Sequence, residues 1–195
     1  MPAMSVGEVF ACRNRLWHAF TARAVIPWVF ADEILVGDAL ELGAGSGANA
    51  AALMRRCPQL RITATDVDPR MLETARERLK AFGDRAVVQS ADAAKLDFPD
   101  GSFDAVVSMI MLHHVSDLGG AIGECARVLR AGGLMIGYDL TRAGPAGWLH
   151  RNGRGAHNLA TPGEIRSVLA DCGFDSLDVA TGLGGLVARF SARRG

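Results

Sequence analysis

The sequence predicts an α/β fold: a doubly wound, mostly parallel seven-stranded sheet with an antiparallel C-terminal hairpin and helices on both faces. Three observations predict it. From residue 38 onward, short β-type runs alternate with helix-type runs, the pattern of parallel strands joined by crossover helices. A glycine-rich turn, Gly43-Ala44-Gly45-Ser46-Gly47, stands where the first strand passes into the first helix. The last two β-type runs are separated only by Thr181-Gly182-Leu183-Gly184-Gly185, too short for a crossover, so that pair is expected to be antiparallel.

Residues 1–37 read as helical and gather Phe10, Leu16, Trp17, Phe20, Ile26, Trp28 and Phe30. This segment is either a layer covering the sheet edge or a lid over a ligand. Strands follow at Asp38–Leu42, Leu60–Thr65, Arg85–Ser90, Phe103–Ile110 and Leu134–Asp139, with helices near 47–57, 69–82 and 118–130. The second of these helices opens with Asp68 as N-cap and Pro69 at the first helical position. It then places Met71, Leu72, Ala75, Leu79 and Phe82 at helical spacing and stops at Gly83. Thr161-Pro162-Gly163-Glu164 is a capping box that opens a helix through Leu169, ended by Gly173. Asp175–Ala180 and Leu186–Ser191 form the final hairpin.

Composition narrows the function. A chain of 195 residues with 49% hydrophobic and 22% charged side chains has enough apolar surface for one core, so a single domain over 1–195 is expected. The formal net charge is +0, with 21 basic and 21 acidic residues, which argues against general nucleic-acid or anionic-lipid binding. Cys12, Cys57, Cys125 and Cys172 form no CxxC pair, so zinc and iron–sulfur spacings are absent and no metal is expected. Buried free thiols suit a reducing cytoplasm, the expected localisation. The N-terminus carries no apolar signal core. The run Ala24–Ala31, interrupted by Pro27, is far shorter than the about 20 residues a membrane span needs.

The residues that carry chemistry cluster at strand ends. Glycines after the first strand let the chain turn sharply and let a ligand approach the main chain. Because Gly43-Ala44-Gly45-Ser46-Gly47-Ala48 also satisfies the dinucleotide pattern, the glycines alone do not separate a nicotinamide oxidoreductase from other adenosine binders. The surrounding charge does. A pyrophosphate favours helix-terminal amides and disfavours a neighbouring carboxylate, yet Glu41 stands just ahead of the loop. Asp66 ends the second strand about 20 residues further on, where an acid accepts from ribose hydroxyls. Asp92 follows the third strand and is able to accept from an adenine amino group. Three acids at three successive strand ends describe a pocket for a ligand with positive charge, hydroxyls and an aminopurine. S-adenosylmethionine has all of these.

At four stretches the sequence resembles the class I, seven-stranded, Rossmann-like S-adenosylmethionine-dependent methyltransferases, of the small-molecule type that includes the quinone-biosynthesis enzymes. They are ELGAGSG at 41–47, ATDVDPRML at 64–72, SADAAKLDFPDGSFDAVVSMIMLHHV at 90–115 and RVLRAGGLMI at 127–136. The resemblance implies that Gly43, Ala44, Gly45 and Gly47 contact the methionine part of the cofactor, with Glu41 nearby. It gives Asp66 the ribose diol, packs Val67 on the adenine, adds Met71 to the cofactor-binding residues, gives Asp92 and the Ala93 amide the adenine edge, and lines the methionine and sulfonium end with Met109 and Ile110. The loop reads GAGSG where many relatives have GCGTG, which keeps the glycines. No Asn-Pro-Pro-Tyr-type motif follows the fourth strand, against the amino-methylating DNA and glutamine enzymes. The expected organisation is an N-terminal cap (1–37), a cofactor-binding core (38–140), a substrate-side loop (141–160) and a C-terminal helix and hairpin (161–195).

The expected reaction is methyl transfer by in-line displacement to a small-molecule acceptor, with S-adenosylhomocysteine as product. The alternatives are a non-catalytic binder of the cofactor and the nicotinamide oxidoreductase. His113, His114, Asp139 and His157 are the candidates for a base. For the histidine pair, loop positioning competes with a base role and with metal binding. For Asp139, capping the following loop competes with orienting the acceptor. Residues 140–160 contain no acid and carry Arg142, Arg151, Arg154, His150, His157 and Trp148. Arg151, Arg154 and Trp148 are the substrate-side candidates, the arginines holding an anionic group or lying in a solvated loop. A homo-oligomer stays open, since the aromatic N-terminal segment suits a neighbouring subunit as well as its own pocket.

Overall fold

The computed structural model describes residues 14–143 and 158–195. Its centre is a seven-stranded sheet in the order β3-β2-β1-β4-β5-β7-β6. The strands are β1 (Gly37–Leu42), β2 (Leu60–Asp66), β3 (Ala86–Ser90), β4 (Phe103–Met109), β5 (Leu129–Leu140), β6 (Phe174–Gly182) and β7 (Val187–Arg194). The first five pair in parallel, and β7 runs antiparallel to both β5 and β6. The C-terminal pair is thus the expected antiparallel hairpin. Its second strand inserts between β5 and β6, a placement that hairpin geometry alone does not specify.

The helices are α1 (Arg15–Phe20), α2 (Ile26–Phe30), α3 (Ala48–Arg56), α4 (Pro69–Leu79), α5 (Leu118–Val128) and α6 (Pro162–Asp171). A π-helical turn at Thr21–Val25 joins α1 to α2. Alternation along β1 sorts the layers. Ala39 faces a core with Val29, Phe30, Leu53, Met54 and Leu79 from α2, α3 and α4. Leu40 and Leu42 face the opposite core, with Ile122, Cys125, Ile165 and Leu169 from α5 and α6. Strands buried on both faces account for the continuous apolar runs in the sequence.

Local signals placed the helices well. Asp68 caps α4, accepting from the Arg70 amide at 2.9 Å. Both arms of the Thr161–Glu164 capping box are formed on α6. Other boundaries moved. Helix α4 ends at Leu79, and a 3-10 segment (Lys80–Arg85) follows, in which Gly83 turns left-handed. β5 begins at Leu129, five positions before the expected start, because Phe103 pairs with Leu129 before an irregularity brings Ala105 opposite Leu134.

The cysteines differ among themselves: Cys57 and Cys125 are buried free thiols, whereas Cys172 at the end of α6 is only partly buried. Cys12 and Phe10 lie outside the described residues. In the N-terminal segment Phe30 and Ile26 are core residues, and Trp28 meets Tyr138 of β5 edge-on at 6.2 Å. No helix of the described residues is long and apolar enough to cross a membrane.

Candidate functional site

The carboxyl ends of the parallel strands form one edge of the sheet, where open α/β folds hold their ligands. The glycine loop rises there from β1. A Cβ at Gly43 would overlap the Met111 side chain from the far end of β4, and φ at this glycine is +60°. Gly47, at φ +72°, is the N-cap of α3 and lies against Ala75 of α4, so the loop is pressed onto both helices. The Ala44 amide donates to the Thr65 carbonyl at 2.8 Å, tying the loop to the neighbouring strand. Arg78 reaches from α4 to the buried Ser46 hydroxyl at 2.9 Å.

Glu41 and Asp66 sit beneath this loop. Glu41 is 1% exposed, and neither carboxylate oxygen accepts a hydrogen bond of ordinary geometry among the described residues. Burial first, and the Asp66 charge second, push its acid up to about 8 against a weaker pull from the Ala50 amide. Burying a carboxyl group without partners is costly, so this arrangement suits a site completed by a cationic ligand. Asp66 is better served. Its Oδ2 accepts from the Gly45 amide and its Oδ1 from the Asp68 amide, both at 2.9 Å. It therefore fixes the glycine loop directly, a role beyond the ligand contact that the sequence suggested.

The remaining cofactor-side candidates gather at the same edge. Val67 is half-exposed just past β2, and Met71 is buried on the first turn of α4. Asp92 is exposed beyond β3; its side chain accepts from the Ala94 amide at 3.0 Å, while Ala93 is buried. Met109 is buried at the end of β4. Ile110 takes φ +54°, unusual for a β-branched residue, with its amide on the Tyr138 carbonyl at 2.9 Å. That backbone turn directs the chain into the 3-10 turn Leu112–His114.

This turn brings His113 to Asp139 at the end of β5. The His113 Nδ1 lies 2.5 Å from Asp139 Oδ1, and the His113 amide donates to Oδ2 at 3.1 Å. Both side chains are buried. Asp139 thus caps the turn after β4, 26 positions earlier, while its Oδ1 also accepts from the adjoining Leu140 amide at 2.6 Å. The His114 ring lies 4.0 Å from the His113 ring, centre to centre. The Asn158 amide donates to the His113 carbonyl at 2.8 Å, closing the turn from the far side.

Arg142 is spoken for. Its guanidinium pairs with Glu164 on α6, so the counter-charge missing from residues 140–160 comes from outside them. Trp148, His150, Arg151, Arg154 and His157 lie outside the described residues. A highly connected charged group near the amino-terminal ends of β4 and β5 was not foreseen. Arg127 of α5 bonds Glu124, Asp100 and two backbone carbonyls of the loop between β3 and β4. Only its place in the RVLRAGG stretch hinted at it.

The fold and this edge define a class: a doubly wound α/β protein with a glycine loop after β1 and acids at or just past the carboxyl ends of β1, β2 and β3. Residues 40–137 match the family model described as a methyltransferase domain, and the chain belongs to that family. It is 34% identical to malonyl-[acyl-carrier protein] O-methyltransferase of Geobacter sulfurreducens over 166 residues, covering 80% of this chain and 62% of that one. It is 36% identical to demethylmenaquinone methyltransferase of Tropheryma whipplei over 99 residues, covering 51% of this chain and 40% of that one. The chain therefore spans less than two thirds of either relative. Among solved structures, the Haemonchus contortus phosphoethanolamine N-methyltransferase 2 in complex with S-adenosyl-L-methionine shares the fold with a TM-score of 0.80. Its identity is 16%, over 97% of this chain and 57% of that one. Family membership does not favour the nicotinamide alternative.

Proposed function

We propose that the chain binds S-adenosylmethionine at the carboxyl ends of β1 to β4 and moves its methyl group to a small, partly apolar acceptor, leaving S-adenosylhomocysteine. The observation that carries this reading is Glu41, a buried acid whose carboxylate oxygens accept no hydrogen bond of ordinary geometry among the described residues, beside Asp66 and the glycine loop. A ligand bearing an ammonium and a sulfonium supplies the positive charge that this pair lacks. When bound, the cofactor supplies an activated methyl group, so the protein's part is alignment and exclusion of water.

In this reading the main chain at Gly43, Ala44, Gly45 and Gly47 lies along the methionine part, and the second lone pairs of the Asp66 carboxylate take the ribose diol. Val67 and Met71 pack beside the purine, Asp92 and the Ala93 amide read its edge, and Met109 and Ile110 border the sulfonium. The His113–Asp139 pair is the candidate for a base. A carboxylate that accepts from Nδ1 fixes the proton there and makes Nε2 the basic nitrogen. His114 and His157 are weaker candidates for the same task.

Formation of S-adenosylhomocysteine over a panel of small phenolic, enolic and amine acceptors tests the reading; a cofactor that survives every acceptor intact counts against transfer. Once an acceptor is found, Arg151→Ala and Arg154→Ala test whether it carries an anionic group. Loss of a charge-assisted contact is expected to raise its KM about tenfold in at least one variant. An unchanged KM in both removes the anionic group from the account.

A further inference from the structure

The loop of residues 91–102, between β3 and β4, carries Asp92 and Ala93 yet contains no helix or strand of its own. A loop of this length keeps a fixed shape only if something outside it does the fixing. Its internal bonds are local: the Asp92 side chain accepts from Ala94, the Asp92 carbonyl accepts from Lys95, and Ser102 bonds Pro99. Outside it, the Ala91 amide donates to the Asp66 carbonyl at 3.4 Å, the Gly101 amide donates to the Arg127 carbonyl at 3.0 Å, and Ala93 and Leu96 are buried in the core that α5 shares. The densest polar anchor is one Arg–Glu pair on α5. Arg127 Nε and Nη2 grip Glu124 in a two-pronged contact at 2.8 and 2.9 Å. The same guanidinium donates to the carbonyls of Leu96 and Phe98, each at 2.7 Å, and to Asp100 at 2.8 Å. Glu124 returns to the loop by accepting from the Leu96 amide at 2.7 Å. Leu96 is therefore held at both its polar main-chain atoms by that one pair, immediately after the bridge between Asp92 and Lys95. Helix α5 is itself locked to the core through Ala121, Ile122 and Cys125.

We propose that Arg127, with Glu124, is the positioning element that holds the Asp92 turn in register for the purine 6-amino group, so that adenine selectivity is set from α5 rather than by the loop alone. This rests on the cofactor reading above. The planar fork of arginine matters here: a lysine keeps the charge but cannot span two carbonyls and two carboxylates in one plane.

The test compares two ligands by calorimetry: S-adenosylhomocysteine and its purine analogue, in which hydrogen replaces the 6-amino group. The wild-type chain is expected to prefer the amino ligand by about tenfold or more, the effect of one hydrogen bond to a carboxylate. In Arg127→Met that preference falls to within about twofold, and in the wild-type background Asp92→Ala does the same. Asp92→Ala added to Arg127→Met then changes nothing further. If Arg127→Met does not fold, Arg127→Lys serves, with the preference again reduced. A role confined to stability lowers the melting temperature and weakens both ligands alike, leaving their ratio intact, and that result overturns the proposal. So does a wild-type chain that binds both ligands equally. A wild-type chain that binds neither instead removes the cofactor reading on which the proposal stands.

Discussion

Asp66→Ala is expected to weaken S-adenosylhomocysteine binding by roughly a hundredfold or more at neutral pH. The carboxylate has two tasks at once. It accepts from the Gly45 and Asp68 amides, so removing it leaves two backbone donors without their partner and loosens the glycine loop. In the proposed reading it also takes the ribose hydroxyls. Each hydrogen bond to a charged group contributes roughly 1.5–3 kcal/mol, and two lost together give that hundredfold or more. Asp66→Asn separates the tasks: the amide oxygen keeps one backbone donor, while its NH2 group cannot accept. The expected order of affinity is wild type, then Asn, then Ala. Calorimetric titration checks it, and equal affinities across the three proteins contradict it.

The second large effect is a pH dependence carried by Glu41. Its acid is raised from 4.5 to about 8 in the folded chain. Between those values the folded state keeps the proton that the unfolded state has released. The unfolded state thus binds fewer protons, and stability falls as pH rises from about 4.5 to about 8, then levels off. The full effect is of order a few kcal/mol. Glu41→Gln removes this component, so the ligand-free variant is expected to melt above wild type at pH 8, with the difference shrinking toward pH 5. Cofactor binding moves the other way. A cation beside Glu41 favours the ionised form, so at pH 8 the glutamine variant binds S-adenosylmethionine about tenfold or more weakly than wild type. Melting curves for the two ligand-free proteins that run parallel from pH 5 to 8 rule this out.

What the sequence made legible was local. Asp68 and Thr161 announce their helices through caps that form within three residues, and both are present. The glycine loop and Glu41 fall where strand gives way to helix, so their position at the sheet edge follows from the alternation of elements. Partnerships across the fold were not legible. Asp139 reaches His113 from a different strand, Arg142 finds Glu164 beyond residues 140–160, and Arg127 binds a loop nearly 30 positions back. Each depends on where the sheet order β1-β4-β5 puts neighbouring strands, which no residue type reports. The placement of β7 between β5 and β6 has the same origin: pattern gives a hairpin, and packing chooses its slot. Ile110 is a different case. Its apolar, β-branched side chain reads as a continuation of β4, yet the backbone turns to positive φ to form the histidine turn.

The central claim is that acids at the ends of β1, β2 and β3 make a pocket for a cationic adenosyl ligand. Titration of S-adenosylhomocysteine and of NADH into the wild-type chain, in parallel at pH 7, tests it most directly. The account predicts saturable one-to-one binding of S-adenosylhomocysteine in the micromolar range, about −8 kcal/mol, and no detectable heat from NADH. Binding of NADH with S-adenosylhomocysteine silent at millimolar concentration contradicts it.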